Sequence, residues 1–369
     1  MPDKIRFRML GGFLGAGKTT TISQIARHYQ AQGLNVGIVT NDQAAGLVDT
    51  QLLQSQGFDV GEVAGACFCC SFNQLTETIQ NLSQDARPDV VLAEPVGSCT
   101  DLVATVAQPL MQMFDAELSV GPFAVILKPS HGRKILGDGP RRGFSPQAEY
   151  IFRKQLEEAD YLIINRIDEL SSEEVDHLEQ VLRTQFPDRP IFRLSAKTGE
   201  GMPALLEALE APGRFCRRIL DIDYDIYAAG EADLGWLNAN VSFEGPVVDL
   251  DSMLLDLIGQ IKDRVTARGA ETAHLKIIGQ SEGVYAVANV ISSDSPIQLS
   301  LPSRAKVSQG ELVINARIAT SPAELESDVR QAVQALQQQS ELSLEITSLN
   351  CLQPGRPVPT HRMSAPTND

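Results

Sequence analysis

Positive charge is what this chain is short of: 31 Lys and Arg stand against 47 Asp and Glu, a formal net charge of −16. Such a surface repels phosphodiester backbones and anionic headgroups, which argues against general nucleic-acid binding and against adsorption to acidic lipid. No uninterrupted apolar run is long enough to span a bilayer. Lys4, Arg6 and Arg8 ahead of the apolar stretch 9–16 imitate a secretory leader, but that stretch runs at once into Lys18 and lacks a small-residue cleavage pattern. The expected location is cytoplasmic, with neither nucleic acid nor membrane as partner. Cysteine is scarce too, six in all, yet Cys67, Cys69 and Cys70 crowd into four positions. That is no disulfide framework of a secreted domain, and in a reducing compartment it points to metal or redox chemistry.

What is present suffices for a buried core: 43% of residues are hydrophobic and 21% charged. A length of 369 residues suggests two domains. In the first half, buried β-type runs at 4–10, 36–40, 89–94, 123–128, 161–165 and 190–194 alternate with amphipathic helical stretches at 19–30, 101–114, 147–158 and 172–185. This alternation predicts an α/β fold with a mostly parallel sheet covered by helices on both faces. The expected layout is a P-loop domain over 1–215, an acidic connector over 216–236, a smaller C-terminal α+β domain over 237–352 and a flexible Pro-rich tail over 353–369. In the second domain the pattern reads strand 237–243, helix 251–268, strands 274–278, 284–291 and 311–319, helix 323–338 and strand 342–349.

Gly12-Phe13-Leu14-Gly15-Ala16-Gly17-Lys18-Thr19, followed by Thr20, satisfies the phosphate-loop pattern in its required context, after a strand and opening a helix. Glycines let successive N–H groups point at the phosphates, Lys18 neutralises the β- and γ-phosphates, and the Thr19 hydroxyl is a Mg²⁺ ligand. The apolar run 89–93 ends in Glu94, placed to reach the Mg²⁺ shell, and Gly97 three residues on is placed to donate its N–H to the γ-phosphate. Asp42, just after another strand, is a second acid for the metal or the attacking water; a turn or helix-cap role is its plain alternative. Asn165-Arg166-Ile167-Asp168 closes a strand where a base-reading motif belongs. A buried Asp168 there accepts from guanine N1–H and the exocyclic amine together, a donor pair that adenine lacks. Ser195-Ala196-Lys197, one strand later, supports the same base. These motifs favour GTP and GDP over adenine nucleotides.

Cys67, Cys69 and Cys70 lie between the two segments that should sense the γ-phosphate, and a helical stretch begins directly after them. Three thiolates this close can hold a soft or borderline ion, with water or a partner as fourth ligand, and a helix N-terminus favours the thiolate form. Simple packing and a metal-free redox pair are the alternatives. Cys99, Cys216 and Cys351 read as buried residues, and of the five scattered histidines only His274 and His361 are candidates for second-domain metal partners.

Together, residues 12–20, the Cys67-x-Cys69-Cys70 triplet, Glu94-x-x-Gly97, Asn165-x-x-Asp168 and Ser195-Ala196-Lys197 resemble the CobW-like GTPases, relatives of UreG and HypB. Gln155 also looks like the family's Gln ahead of its guanine strand. The resemblance implies a metallochaperone that binds Zn²⁺ or Co²⁺ at the cysteines and couples nucleotide state to delivery, to a client metalloprotein or within cobalamin handling. It further implies a small β-rich C-terminal domain, and a nucleotide-dependent homodimer is compatible with it. Departures from the family pattern are Gly65-Ala66 before the triplet, Arg166 for Lys, Pro129-Ser130 after the fourth strand, Pro95-Val96 inside the γ-phosphate turn, and the lack of a His-rich tract. The rival reading is a regulatory GTPase switch whose cysteines are structural or redox-active, with no metal transfer.

Overall fold

The computed structural model describes residues 4–42, 48–82, 87–137, 145–293 and 295–367. The chain divides into two compact units, one of Met1–Ala45, Gln56–Ala228 and Arg356–Asp369, the other of Gly46–Ser55 and Ala229–Gly355. No helix among the described residues is long and apolar enough to cross a membrane.

The first unit holds strands β1 (Ile5–Gly11), β2 (Val36–Asp42), β3 (Asp59–Ala64), β4 (Val90–Glu94), β5 (Leu118–Val120), β6 (Ala124–Leu127), β7 (Tyr161–Ile164) and β8 (Ile191–Arg193). They form one sheet in the order β3-β2-β4-β1-β6-β7-β8, with β5 beside β1 and every pairing parallel. Parallel neighbours need long crossovers, which the helices supply. In chain order the helices are α1 (Lys18–Ala31), α2 (Val48–Ser55), α3 (Phe72–Leu82), α4 (Gln108–Met113), α5 (Pro129–Leu136), α6 (Pro146–Glu158), α7 (Ser172–Gln185), α8 (Met202–Glu210) and α9 (Tyr224–Ala232). Of these, α2 belongs to the second unit, and the boundary between the units falls within α9, after Ala228.

Sandwiched strands lose the alternation of a half-wet sheet, and every residue of β4, β6 and β7 is buried. The helices show the complementary pattern. Ile22, Ile25, Ala26 and Tyr29 of α1 are buried at helical spacing. Ser171 and Glu174 close a capping box that starts α7 where the sequence reading begins it. The short β5 and the polar β3, with its Gly61, carry too little apolar pattern to be read as strands from sequence. Parallel winding brings the C-terminal ends of β1, β2, β4, β7 and β8 to one edge of the sheet, where an open α/β fold binds its ligands.

The second unit is a six-stranded antiparallel sheet in the order β12-β11-β10-β13-β9-β14. Its strands are β9 (Gly235–Asp249), β10 (Thr272–Ser281), β11 (Val284–Val290), β12 (Gln298–Leu301), β13 (Lys306–Ile318) and β14 (Ser343–Leu352), joined by α10 (Leu250–Ala267) and α11 (Pro322–Ser340). Alternate residues Leu237, Ala239, Val241 and Phe243 of β9 face a core shared with Leu254, Ile258 and Ile261 of α10 and Leu325, Val329 and Leu336 of α11. Leu52 of α2 packs with Ile278, Val287 and Val313 in a smaller cluster.

Candidate functional site

The turn from β1 into α1 is shaped by Gly12, Gly15 and Gly17, all at positive φ. A side chain at Gly12 would collide with the Ile126 carbonyl, so the loop lies against β6 at a distance only glycine permits. Phe13 turns inward, edge-on to Phe152 at 5.9 Å, and Leu14 and Ala16 are buried as well. The loop's backbone, rather than its side chains, is therefore what it can offer a phosphate. Thr20 is exposed.

Lys18 and Glu94 are both buried, with Nζ 4.0 Å from Oε1, and Thr19 Oγ1 donates to the same Glu94 oxygen at 3.0 Å. Hard oxygen donors gathered beside a phosphate loop are suited to Mg²⁺. A Cβ on Gly97 would stand 3.1 Å from both the Leu14 nitrogen and Lys18 Nζ, so the turn after β4 touches the phosphate loop only because residue 97 has no side chain. Asp42 ends β2, but its side chain lies outside the described residues.

Asn165 is buried and bridges two loops: its Nδ2 donates to Ala16 O at 2.8 Å, and its Oδ1 accepts from Ala196 N at 3.0 Å. Ser195 Oγ donates to Asp168 Oδ1 at 2.6 Å. Asp168 itself is exposed, contrary to the expectation of a buried acid. It sits on a short turn beyond β7, past the cover of the sheet, where Ser195 fixes one carboxylate oxygen. Arg166 adopts a left-handed backbone and pairs with Glu169 at 2.7 Å, and Lys197 is exposed.

Cys67 and Cys69 are buried and Cys70 is half-buried. The three sulfurs lie 2.8, 3.5 and 3.7 Å apart. Among the described residues this is the grouping able to hold a metal ion. Hydrogen bonding with Cys69 and then with Cys70 holds the Cys67 thiol well below its usual value. The same bonds, with burial, push Cys69 well up, and Cys70 is pushed up to about 11, chiefly by its bond to Cys67. Three sulfurs this close are a donor set suited to a soft or borderline cation, which would displace the protons they carry.

Sequence reasoning missed the residues that hold this loop. Asn41, at the end of β2, donates to Val63 O at 2.9 Å and Ala66 O at 2.8 Å, and accepts from Phe68 N at 2.8 Å. Gln155, noted only as a family feature, is buried and donates to the carbonyls of Gly97 and Cys99 at 3.0 and 2.8 Å. The C-terminal segment, expected from its composition to be flexible, makes specific bonds across the loop. Val358 N donates to Cys70 Sγ at 3.3 Å, Thr360 N to Cys69 O at 2.8 Å and Thr360 Oγ1 to Cys70 O at 2.9 Å. Arg362 then pairs with the buried Asp101 at 2.7 Å. His361 lies in the first unit, its ring 5.0 Å from Phe72, whereas His274 is on β10 of the second unit. Backbone donors meeting side chains so distant in sequence leave no local pattern to read.

The nucleotide-binding domain common to CobW, HypB and UreG matches residues 7–193, just over half of the chain. The chain belongs to the CobW/HypB/UreG family. The matched span contains the phosphate loop, the cysteine triplet, Glu94 and Asn165 to Asp168, and stops just short of Ser195. The zinc chaperone CobW of Sinorhizobium sp is 24% identical over 233 residues, covering 56% of this chain and 63% of that protein. The urease accessory protein UreG of Metallosphaera sedula is 27% identical over 216 residues, covering 54% of this chain and 90% of UreG. The zinc chaperone YeiR of Escherichia coli is 25% identical over 191 residues, covering 51% of this chain and 54% of YeiR. This CobW/HypB/UreG-family chain thus spans between about half and two thirds of the two zinc chaperones.

Proposed function

We propose that this protein is a Mg²⁺-dependent GTPase and metallochaperone that carries Zn²⁺ or Co²⁺ on Cys67, Cys69 and Cys70 and yields it to a client metalloprotein as the nucleotide turns over. The observation that carries the reading is that the cysteine loop is tied to strand ends beside the phosphate loop. Asn41 of β2 bonds it directly. On the other flank, Gln155 bonds both Gly97 and Cys99 in the turn after β4. Kinship to proteins named as zinc chaperones supports the choice of cargo.

In this reading the N–H groups of residues 12–19 cradle the phosphates, Lys18 neutralises the β- and γ-phosphates, and Asp168 with Asn165, Arg166 and Ser195-Ala196-Lys197 holds guanine. Mg²⁺, held by Thr19 and Glu94 with Asp42, would neutralise charge on the β- and γ-phosphate oxygens. The Gly97 N–H meets the γ-phosphate, and its turn carries that contact toward the cysteines. No arginine finger is evident in the motifs, so intrinsic turnover is slow. A GTP-dependent homodimer, cytoplasmic location and a client in metalloenzyme or cobalamin assembly belong to the same proposal.

The test is phosphate release from GTP and from ATP, with a Co²⁺ titration of the reduced protein followed by visible absorbance in GDP and in a non-hydrolysable GTP analogue. GTP-selective turnover and thiolate-to-cobalt bands that tighten with the analogue are expected. Equal cobalt affinity in the two nucleotide states would sink the coupling, since a switch requires a differential.

A further inference from the structure

A fourth cysteine lies at the triplet. Cys99 is only 1% exposed, and its thiol hydrogen-bonds to that of Cys67. The chain around it is fixed from the opposite side: its N–H donates to Val96 O at 3.0 Å, its carbonyl accepts from Gln155 at 2.8 Å, and the Thr100 hydroxyl donates to the buried Glu158 at 3.0 Å. With the backbone so held, the sulfur is the part of Cys99 left to meet the cluster.

On the metal reading above, on which this inference rests, we propose that Cys99 is the fourth ligand, so that the cargo sits in a closed four-thiolate site with Cys67, Cys69 and Cys70. A tetrahedral ion with metal–sulfur bonds of about 2.3 Å sets its sulfurs about 3.8 Å apart. The 3.5 and 3.7 Å separations from Cys70 are already close to that edge, and the 2.8 Å pair opens as the ion enters. Cys70 is the half-buried member of the triplet, and Val358 N–H and Thr360 bond to it. Cys99 lies on the buried side of the cluster, against Cys67. His361, the nearby imidazole, stacks edge-on to Phe72.

The position of Cys99 gives the site its link to the nucleotide. Cys67, Cys69 and Cys70 share one short loop, whereas Cys99 stands two residues beyond Gly97 on the turn that touches the phosphate loop. Its sulfur touches Cys67 yet stands outside the tight triplet. A small shift of that turn is therefore enough to add or withdraw the fourth sulfur and to change the coordination number from four to three.

The experiment loads reduced full-length protein with Co²⁺ in the presence of a non-hydrolysable GTP analogue and counts sulfur ligands by X-ray absorption, beside visible spectra of wild type, Cys99→Ser and Cys99→Ala. Four sulfurs in the wild type are expected, with charge-transfer intensity falling by about a quarter and cobalt affinity at least tenfold in both variants. Two variants guard against one misfolding, and the wild-type count needs neither. Three sulfurs in the wild type, or variants with unchanged bands and affinity, would overturn the role of Cys99 and leave the triplet as carrier. A wild type without thiolate bands would overturn the metal reading itself.

Discussion

At the scale of single residues, the decisive contacts are buried amides and carboxylates with more than one partner. Asn41 satisfies three backbone groups, one at the end of β3 and two in the cysteine loop, and replacing it with Ala strands them at a cost of about 1–3 kcal/mol each where water cannot enter. Asn41→Ala is expected to weaken metal binding without altering the sulfurs themselves, as read by competition with a chromophoric chelator. Asp168, exposed and held by Ser195, is free to face a ligand. Hydrogen bonds to an ionised group contribute about 1.5–3 kcal/mol, so Asp168→Ala is expected to weaken GDP binding about 10- to 100-fold and leave ADP binding unchanged. Calorimetry with both nucleotides checks this; equal losses would mean that Asp168 does not read the base.

At the scale of elements, the turn after β4 is braced by groups that burial has made responsive. Glu158, at the end of α6, accepts from Thr100 Oγ1 and Val103 N, and burial pushes its carboxyl up to about 8 from its ordinary 4.5. Because the folded state holds the proton more tightly than the unfolded chain, the contribution to stability is full below about pH 4.5 and is lost as pH rises through about 8. The neighbouring Asp101 carboxylate adds to the rise. Glu158→Gln is expected to flatten the fall in thermal midpoint between pH 5 and 8 relative to wild type, whatever its effect on the absolute midpoint; parallel profiles would refute the assignment. The C-terminal strap is the second element. Arg362 faces Asp101, which is 1% exposed, left-handed at φ 64° and otherwise bonded to the Tyr224 hydroxyl. Arg362→Ala leaves a buried charge uncompensated, a loss of about 3–5 kcal/mol, and is expected to speed metal loss to a chelator. Adding Asp101→Asn should restore part of the stability, because the stranded charge is then gone.

At the scale of the whole molecule, the proposal is a linkage between two ligands, and linkage is reciprocal. If the GTP analogue tightens Co²⁺ binding by some factor, Co²⁺ must tighten the analogue by the same factor; couplings of this kind are about 5- to 150-fold. Two calorimetric titrations, each ligand with and without the other, close the cycle. Factors that disagree would show that a further state, such as a dimer, intervenes.

Local chemistry made the nucleotide half of the molecule legible. A phosphate loop is a contiguous run of backbone donors, so its eight residues announce it, and buried parallel strands betray themselves as apolar runs ending in Glu94 and Asn165. The cysteine triplet was legible for the same reason of proximity along the chain. The rest depended on contacts between residues far apart in sequence. Cys99 meets Cys67 because parallel winding sets β3 and β4 on either side of β2, so the loops that follow β3 and β4 share one edge of the sheet. The tail crosses Cys69 and Cys70 with backbone N–H groups, which every non-proline residue possesses and no composition reveals. Asp168 was expected to be buried and is exposed, because burial depends on what the tertiary fold lays over a turn and not on the motif that forms it. The sequence by itself thus determined which groups are candidates to meet phosphate, guanine and a soft metal. Only the tertiary structure decided which of them meet, since a hydrogen bond or a ligand shell needs atoms within a few ångströms, and chain order does not set that distance.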